Sequence, residues 1–404
     1  MGAGASVNLN EELAKPMDAS DVATPRGESA KTEVVRLRKM LFDRQRVGRL
    51  QNAVLGSIFA DAACSSLLWN YDPAGLVELV GDKDPFFFDK AHAASYLKNF
   101  MEAGHYTKPG SPSPFGEQSM AYLDTVKSLD ATKDMDGQAA VEEFNKWSST
   151  HTGYKEFNVN MFNAAYAEGK KFPDVAPSHM MAEQAEHMTM PALCALKYRD
   201  QPQDFQAKQC RTLTQATHKS KWTEELNLFC MKVILSLADG KKGFKEAVEQ
   251  AMGEVDADLQ SDSLPAHSSI KEMTARAMEK PFTSGVELYE FRKADFAREE
   301  WKTAVSAAVP QYHPPEETME AFVKITCINC FSVNGFMIVM NILSHTSDWK
   351  EALKLNIMAG GDSAGRGQML GAFLGAMHGS IPSDLAPLWE NKAATTKAVE
   401  ECSA

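Results

Sequence analysis

The chain reads as an all-α protein, a single large helical domain, and three features of its 404 residues point there. Alternating apolar and polar runs closed by tight turns, which mark strands, are almost absent. Leu226, Phe229, Cys230, Val233 and Leu237 keep the i, i+3, i+4, i+7, i+11 spacing of one helix face, and the stretch stops at Gly240. Methionine and alanine abound, whereas the strand-favouring valine and isoleucine are sparse.

The elements follow in chain order. Residues 1–30 are small, polar and punctuated by proline, with no apolar period, and are expected to be a disordered tail. Its first residues, Met1-Gly2-Ala3-Gly4-Ala5-Ser6, fit the myristoylation pattern with Gly2 as the acceptor. One acyl chain gives only reversible membrane contact and needs a second signal. Lys31, Arg36, Arg38, Lys39, Arg44, Arg46 and Arg49 either supply it or form the solvated face of a basic amphipathic lead-in helix over 31–45. From Val35 to Leu55 an irregular apolar face runs into Gly56. Further helical stretches cover about 118–130, 137–148, 188–199, 267–279, 318–343 and 348–358, giving a domain from 46 to 382 and a polar extension over 383–404. The long loops are rich in proline, notably Lys108 to Phe115 and Pro310 to Pro315.

The segment Ala359–Gly379 is the most informative. Gly360-Gly361 predict a turn, and Asp362 then caps a helix by accepting from the free amides of its first turn. Gly367, Gly371, Gly375 and Gly379 fall at steps of four and leave a bare strip of backbone on one face. Glycine in a helix costs about 1 kcal/mol against alanine. The strip therefore implies a second helix at backbone distance, expected to be Phe322–Leu343. Either the segment holds an acid-bearing loop rigidly at a site, or it is a tightly packed core helix with an Asp cap.

A formal charge of −12 argues against nucleic acid as the main partner, because phosphate binding needs a basic surface. The seven cysteines are scattered and odd in number, as expected for reduced thiols in a cytoplasmic protein. Cys327-Ile-Asn-Cys330 is a lone CxxC in an apolar stretch, without the second ligand pair of a zinc site. No signal peptide and no run long enough to span a bilayer are evident.

Three segments place small residues and an acid beside a helix end: Gly56-Ser57-Ile58-Phe59-Ala60-Asp61-Ala62-Ala63, Phe115-Gly116-Glu117-Gln118-Ser119 and Gly361-Asp362-Ser363. In this order they resemble the ADP-ribosylglycohydrolase superfamily, over roughly Gly48 to Pro382. The branch with the J-type crystallins and selenoprotein J is the most similar. Its aromatic run is matched by Leu67-Leu68-Trp69-Asn70-Tyr71-Asp72, its Gly-Asp-Gln element by Gly116-Glu117-Gln118 and its Thr-Gln-x-Thr element by Thr214-Gln215-Ala216-Thr217. Its Gly-Gly-Asp segment with a following Arg is matched by Gly360-Gly361-Asp362 and Arg366.

The resemblance implies an all-α fold around two magnesium ions, held by a Thr-Asp-Asp and an Asp-x-Asp-Thr cluster that position a ribose and orient a water. This chain departs from that set. The first cluster reads Gly116, Glu117, Gln118, Ser119; in the second Ala364 replaces the inner Asp and Gly365 the Thr; the early ligand Glu falls at Leu68. A degraded two-ion site follows, leaving Glu117, Asp362 and Asp61 as candidate ligands of a weaker metal. Glu117, Asp362 and Arg366 are the candidate catalytic residues. Gln118, Ser119, Trp69, Tyr71, Gly361 and Ser363 are candidate contacts to an ADP-ribose-like small molecule. Trp69 and Tyr71 either stack on a base or sugar or wedge a loop against the core. Arg366 either bridges to Asp362 one helical turn away or stands in for the lost metal charge and receives a ligand anion. Two functions remain open: hydrolysis of an N- or O-glycosidic bond in ADP-ribose or a related compound, or a non-catalytic, crystallin-like protein that kept the fold.

Overall fold

The computed structural model describes residues 28–88, 108–178, 180–261, 268–296 and 330–403. Among these, fifteen α-helices and no strand occur. Gly2 and nearly all of the tail expected over 1–30 lie outside the described residues, as does Cys327 of the CxxC pair.

The first helix, α1 (Glu28–Cys64), is 37 residues long and has two halves. Its N-terminal part leaves Val34, Val35 and Met40 exposed, whereas from Leu50 onward its inward residues are core. The lead-in and the start of the domain are thus one uninterrupted helix, and Gly56 lies inside it rather than ending it. After it come α2 (Pro73–Val80), α3 (Pro114–Lys127), α4 (Gly137–Thr150) and α5 (Phe157–Ala167). Two single-turn helices, Met180–Glu183 and Ala185–His187, lead into α6 (Met190–Lys197), α7 (Gln203–Thr217), α8 (Lys221–Ala238) and α9 (Phe244–Met252). The chain continues through α10 (Ile270–Glu279), α11 (Gly285–Phe296), α12 (Ser332–Leu343), α13 (Trp349–Met358), α14 (Ser363–His378) and α15 (Lys392–Ser403).

Helix α14 is the axis of the fold, packed on α1, α8, α12 and α13. Its glycine strip does meet another helix at backbone distance, but that helix is α1. A Cβ built on Gly371 would lie 2.0 Å from the Gly56 carbonyl oxygen, and one on Gly375 1.9 Å from that of Asn52. In return a Cβ on Gly56 would lie 2.3 Å from the Gly371 oxygen. Asn52, Gly56 and Ala60 recur at steps of four, so α1 carries the matching strip. The expected partner segment enters the described structure only as α12, which flanks α14 where Gly335 admits the Arg366 stem. Gly379 closes α14 in a left-handed conformation at φ 65°.

The polar tail expected over 383–404 also folds onto the domain. Helix α15 packs on α3 and α1, with Thr395, Val399 and Cys402 buried. Trp389 is buried edge-on to Phe59 at 5.9 Å. Apart from Thr395 the buried residues of α15 are apolar, so composition alone disguised a helix with an inward face.

Candidate functional site

The site forms where α1, the starts of α3, α5 and α14, and the turn Gln184–His187 converge. Asp61, on α1, is buried. It accepts from the Ser113 amide at 2.8 Å and the Ser113 hydroxyl at 2.5 Å, and from the Gln368 amide at 3.4 Å. Ser113 in turn caps α3, its hydroxyl accepting from the amides of Phe115 and Gly116. Only glycine fits at 116, because a Cβ there would lie 2.1 Å from Asp61 Oδ1. Burial, partly offset by those hydrogen bonds, pushes the Asp61 carboxyl up to about 6.

Glu117 stands in the first turn of α3, with a side chain 36% exposed and Oε2 3.3 Å from His151 Nε2. Partial burial and the Asp61 charge push it up to about 7. His151 is displaced downward by burial and by Lys155, so near neutral pH this contact joins a mainly neutral imidazole to a titrating acid. Trp69 rises nearby in a left-handed conformation at φ 60°, edge-on to Phe115 and Tyr154 at 6.1 and 5.6 Å. Its amide donates to the Gly361 oxygen at 2.7 Å, and the Gly361 amide donates to the Asn70 oxygen at 2.6 Å. This exchange ties the aromatic loop to the acid-bearing loop, and it needs the positive φ of Gly360 and Gly361. Tyr71 is half-buried beside it.

Asp362 caps α14 as expected, its Oδ1 accepting from the Gly365 amide at 3.1 Å, while its buried Oδ2 has no partner. Burial, opposed by Arg366, raises it to about 7. Arg366 does not bridge to it directly. The guanidinium donates instead to the Asn356 side-chain and backbone oxygens at 3.0 and 2.9 Å and to the Gly360 oxygen at 2.6 Å. Through Nε and Nη2 the guanidinium holds the turn before Asp362. Ser363 donates to the Cys64 oxygen. Gln118 donates to Tyr122, and Ser119 joins a buried hydroxyl network with Thr189 and Ser57. Both point into the core rather than toward the Glu117 mouth.

Two further acids, missed in the sequence, complete the cluster. Glu156, just before α5, is buried, and Glu186, in the turn Ala185–His187, is fully buried. Glu156 Oε1 and both Glu186 carboxylate oxygens lack hydrogen-bond partners. Burial and then Asp362 raise Glu156; burial and then Glu156 raise Glu186 well above the carboxylate range. Glu186 Oε2 lies 3.9 Å from His218 Nε2, and burial and His187 depress His218. His187 bonds Asn227 at 2.7 Å and Ser332 at 3.0 Å. The available signal for Glu186 was its place in the run Glu183-Gln184-Ala185-Glu186-His187, mostly polar residues set between methionines. Glu156 had none.

The positions where the resemblance implies magnesium ligands are crowded or already engaged. Asp61 is engaged by Ser113, and a side chain at 365 would meet Asp362 Oδ2 at 2.5 Å and the Ala185 Cβ at 2.7 Å, leaving no room for a ligand threonine. Leu68, at the position of the early ligand, is core. Among the described residues, no three His, Cys, Asp or Glu converge as metal ligands would.

The model of the family described as ADP-ribosylglycohydrolase matches residues 43–402, most of the chain. No curated protein matches. A solved structure titled an ADP-ribosylglycohydrolase-related protein complex superposes with a TM-score of 0.59 at 13% identity, covering 89% of this chain and 98% of that one. At that identity the likeness shows the shared fold.

Proposed function

The chain belongs to the ADP-ribosylglycohydrolase family, and on that premise we propose that it binds an ADP-ribose-like small molecule at the Glu117 mouth and hydrolyses its N- or O-glycosidic bond. One observation carries the reading. Glu117 is the half-exposed member of a buried acid cluster, and its carboxyl titrates at about 7. A group poised near the working pH transfers protons most effectively. Protonated, Glu117 would deliver its proton to the leaving oxygen or nitrogen as the glycosidic bond breaks. The resulting carboxylate would then take a proton from the water that attacks the anomeric carbon. Asp362 would stabilise the positive charge that develops on the ribose, with Arg366 as a positioning residue that fixes its loop. Trp69 and Tyr154 would form the aromatic wall for the sugar or base.

The test is release of free ADP-ribose from a panel of ADP-ribosyl N- and O-glycosides. Glu117→Gln should lower kcat about 10²-fold or more while leaving binding intact. Equal turnover by wild type and variant would overturn the assignment of Glu117.

A second reading, a binding or crystallin-like structural protein, is favoured by the engagement of Asp61 with Ser113 and by the missing carboxylate at Ala364. It predicts ADP-ribose binding or none, with no turnover of any glycoside. Under both readings saturating magnesium should leave the melting temperature unchanged, since a ligand stabilises only what it binds. For the N-terminal segment we propose acylation at Gly2 and reversible membrane contact helped by the basic half of α1. Gly2→Ala should move the protein from the membrane to the soluble fraction of cells that acylate it, and a wild type already soluble at low salt would reject this.

A further inference from the structure

A cavity of about 330 Å³ opens where the early part of α1 meets the start of α7, the end of α8 and helix α9. Arg46, Arg199, Lys232, Lys241 and Lys242 line it, against two lining carboxylates, an excess of three positive charges. The chain as a whole carries −12, so this cavity runs against the background. A concave site lined by one sign of charge focuses its field and concentrates counter-ions.

The manner of pairing decides what the cavity can hold. At its base the cations are neutralised: Arg46 meets Asp239 at 2.8 Å, and Lys232, whose side chain is 9% exposed, meets Glu254 at 2.9 Å. At the rim the two ammonium groups are held without being neutralised. Lys241 lies over the Phe42 ring at 5.0 Å, and Lys242 donates to the Gln250 amide oxygen. Arg199, anchored by the Leu196 oxygen at 3.0 Å, pairs with Asp200 at 3.3 Å, so its charge is partly offset. Neutral partners fix the ammonium groups in place and leave their charge available. Gln201 and Gln203 supply amide donors to the wall, whereas the buried Gln206 spends its own on the Tyr198 oxygen at 2.9 Å and serves as structure.

We propose that this cavity binds a small molecule carrying two or more phosphate groups. Its volume lies at the small end of ligand pockets, and its lining is polar where most such pockets are apolar, which suits a compact and highly charged ligand. Guanidinium and ammonium groups with amide donors are the usual partners of phosphate oxygens. A nucleic-acid polymer is a poor fit to a chain whose net charge is −12. The cavity is separate from the carboxyl cluster. Arg46 and Asp61 are fifteen residues apart on α1, about 22 Å along a helix axis.

Titration calorimetry of the full chain with inorganic tripolyphosphate, at fixed ionic strength, tests this. Saturable binding of one tripolyphosphate per chain is expected. The double variant Lys241→Glu, Lys242→Glu should weaken it at least tenfold, and Lys242→Gln alone should weaken it less. The control Lys133→Glu, Lys146→Glu makes the same charge change at exposed positions elsewhere and should leave it intact. Absent binding, binding weakened equally by the control, or several equivalent weak sites would overturn the proposal. Melting curves of each variant confirm that the rim change leaves the fold in place, and Lys242→Gln supplies a milder arm should the double variant unfold.

Discussion

Helix α14 takes part in two regions built on opposite rules. Along its length it meets α1 backbone to backbone, with Gly371 and Gly56 each excluding a Cβ from the other. At its start it meets a group of carboxyls in which Asp362 Oδ2, Glu156 Oε1 and both Glu186 oxygens have no hydrogen-bond partner in the buried interior. The seam is close-packed as a stable interior should be. The cluster carries buried polar groups that a fold optimised only for stability would lack. The difference separates scaffold from site: the seam fixes the position of the acid loop, and the cluster keeps its acids protonatable.

The largest effect should come from breaking the seam. Gly371→Leu inserts a side chain where even a Cβ would lie 2.0 Å from a carbonyl oxygen. We expect a loss of about 3 kcal/mol or more, at the upper end of overpacking costs. An unchanged urea midpoint would show that the helices separate easily, and the contrast with the cluster would collapse. A smaller effect lies at the join of the two regions. Arg366→Lys keeps the charge but loses the fork that grips the Asn356 and Gly360 oxygens. Stability should fall by about 1–3 kcal/mol through the buried acceptors left unmet. If the Gly360 turn is what positions Asp362, ligand affinity should fall with it. Retained affinity despite lower stability would make Arg366 a core residue alone.

The sequence made the seam half legible. The period of four in α14 announced a backbone contact, but the partner strip Asn52, Gly56, Ala60 contains only one glycine, so α1 did not present itself. The cap at Asp362 and the turn at Gly360-Gly361 were readable because their chemistry is local. The grip of Arg366 on Gly360 was not, since the nearby Asp362 offered a simpler partner one turn away. Glu156 and Glu186 were hidden for a different reason. A buried acid has no local signature, and their environment is assembled from α5, α14 and the turn before α6.

The smallest expected effect is a pH dependence that the seam cannot produce and the cluster must. Asp61, Glu117 and Asp362 sit at about 6, 7 and 7, and Glu156 and Glu186 are also raised, chiefly by burial. A carboxyl whose folded value exceeds its unfolded value binds its proton more tightly when folded. Its contribution to stability is therefore complete below the unfolded value, near 4, and is lost as pH rises through the folded value. Stability should decline between about pH 4 and pH 7 and beyond, opposite in sign to the contribution of acids held in salt bridges. Glu156→Gln replaces a buried acid with a neutral amide of similar shape. It should flatten part of this slope and raise stability at pH 8 by about 1 kcal/mol, roughly one pKa unit of the acid's displacement. Urea unfolding of both proteins at pH 5 and pH 8 measures it. Parallel pH profiles would mean that Glu156 is ionised in the folded protein, which requires a counter-charge at the cluster and would redraw the contrast with the seam.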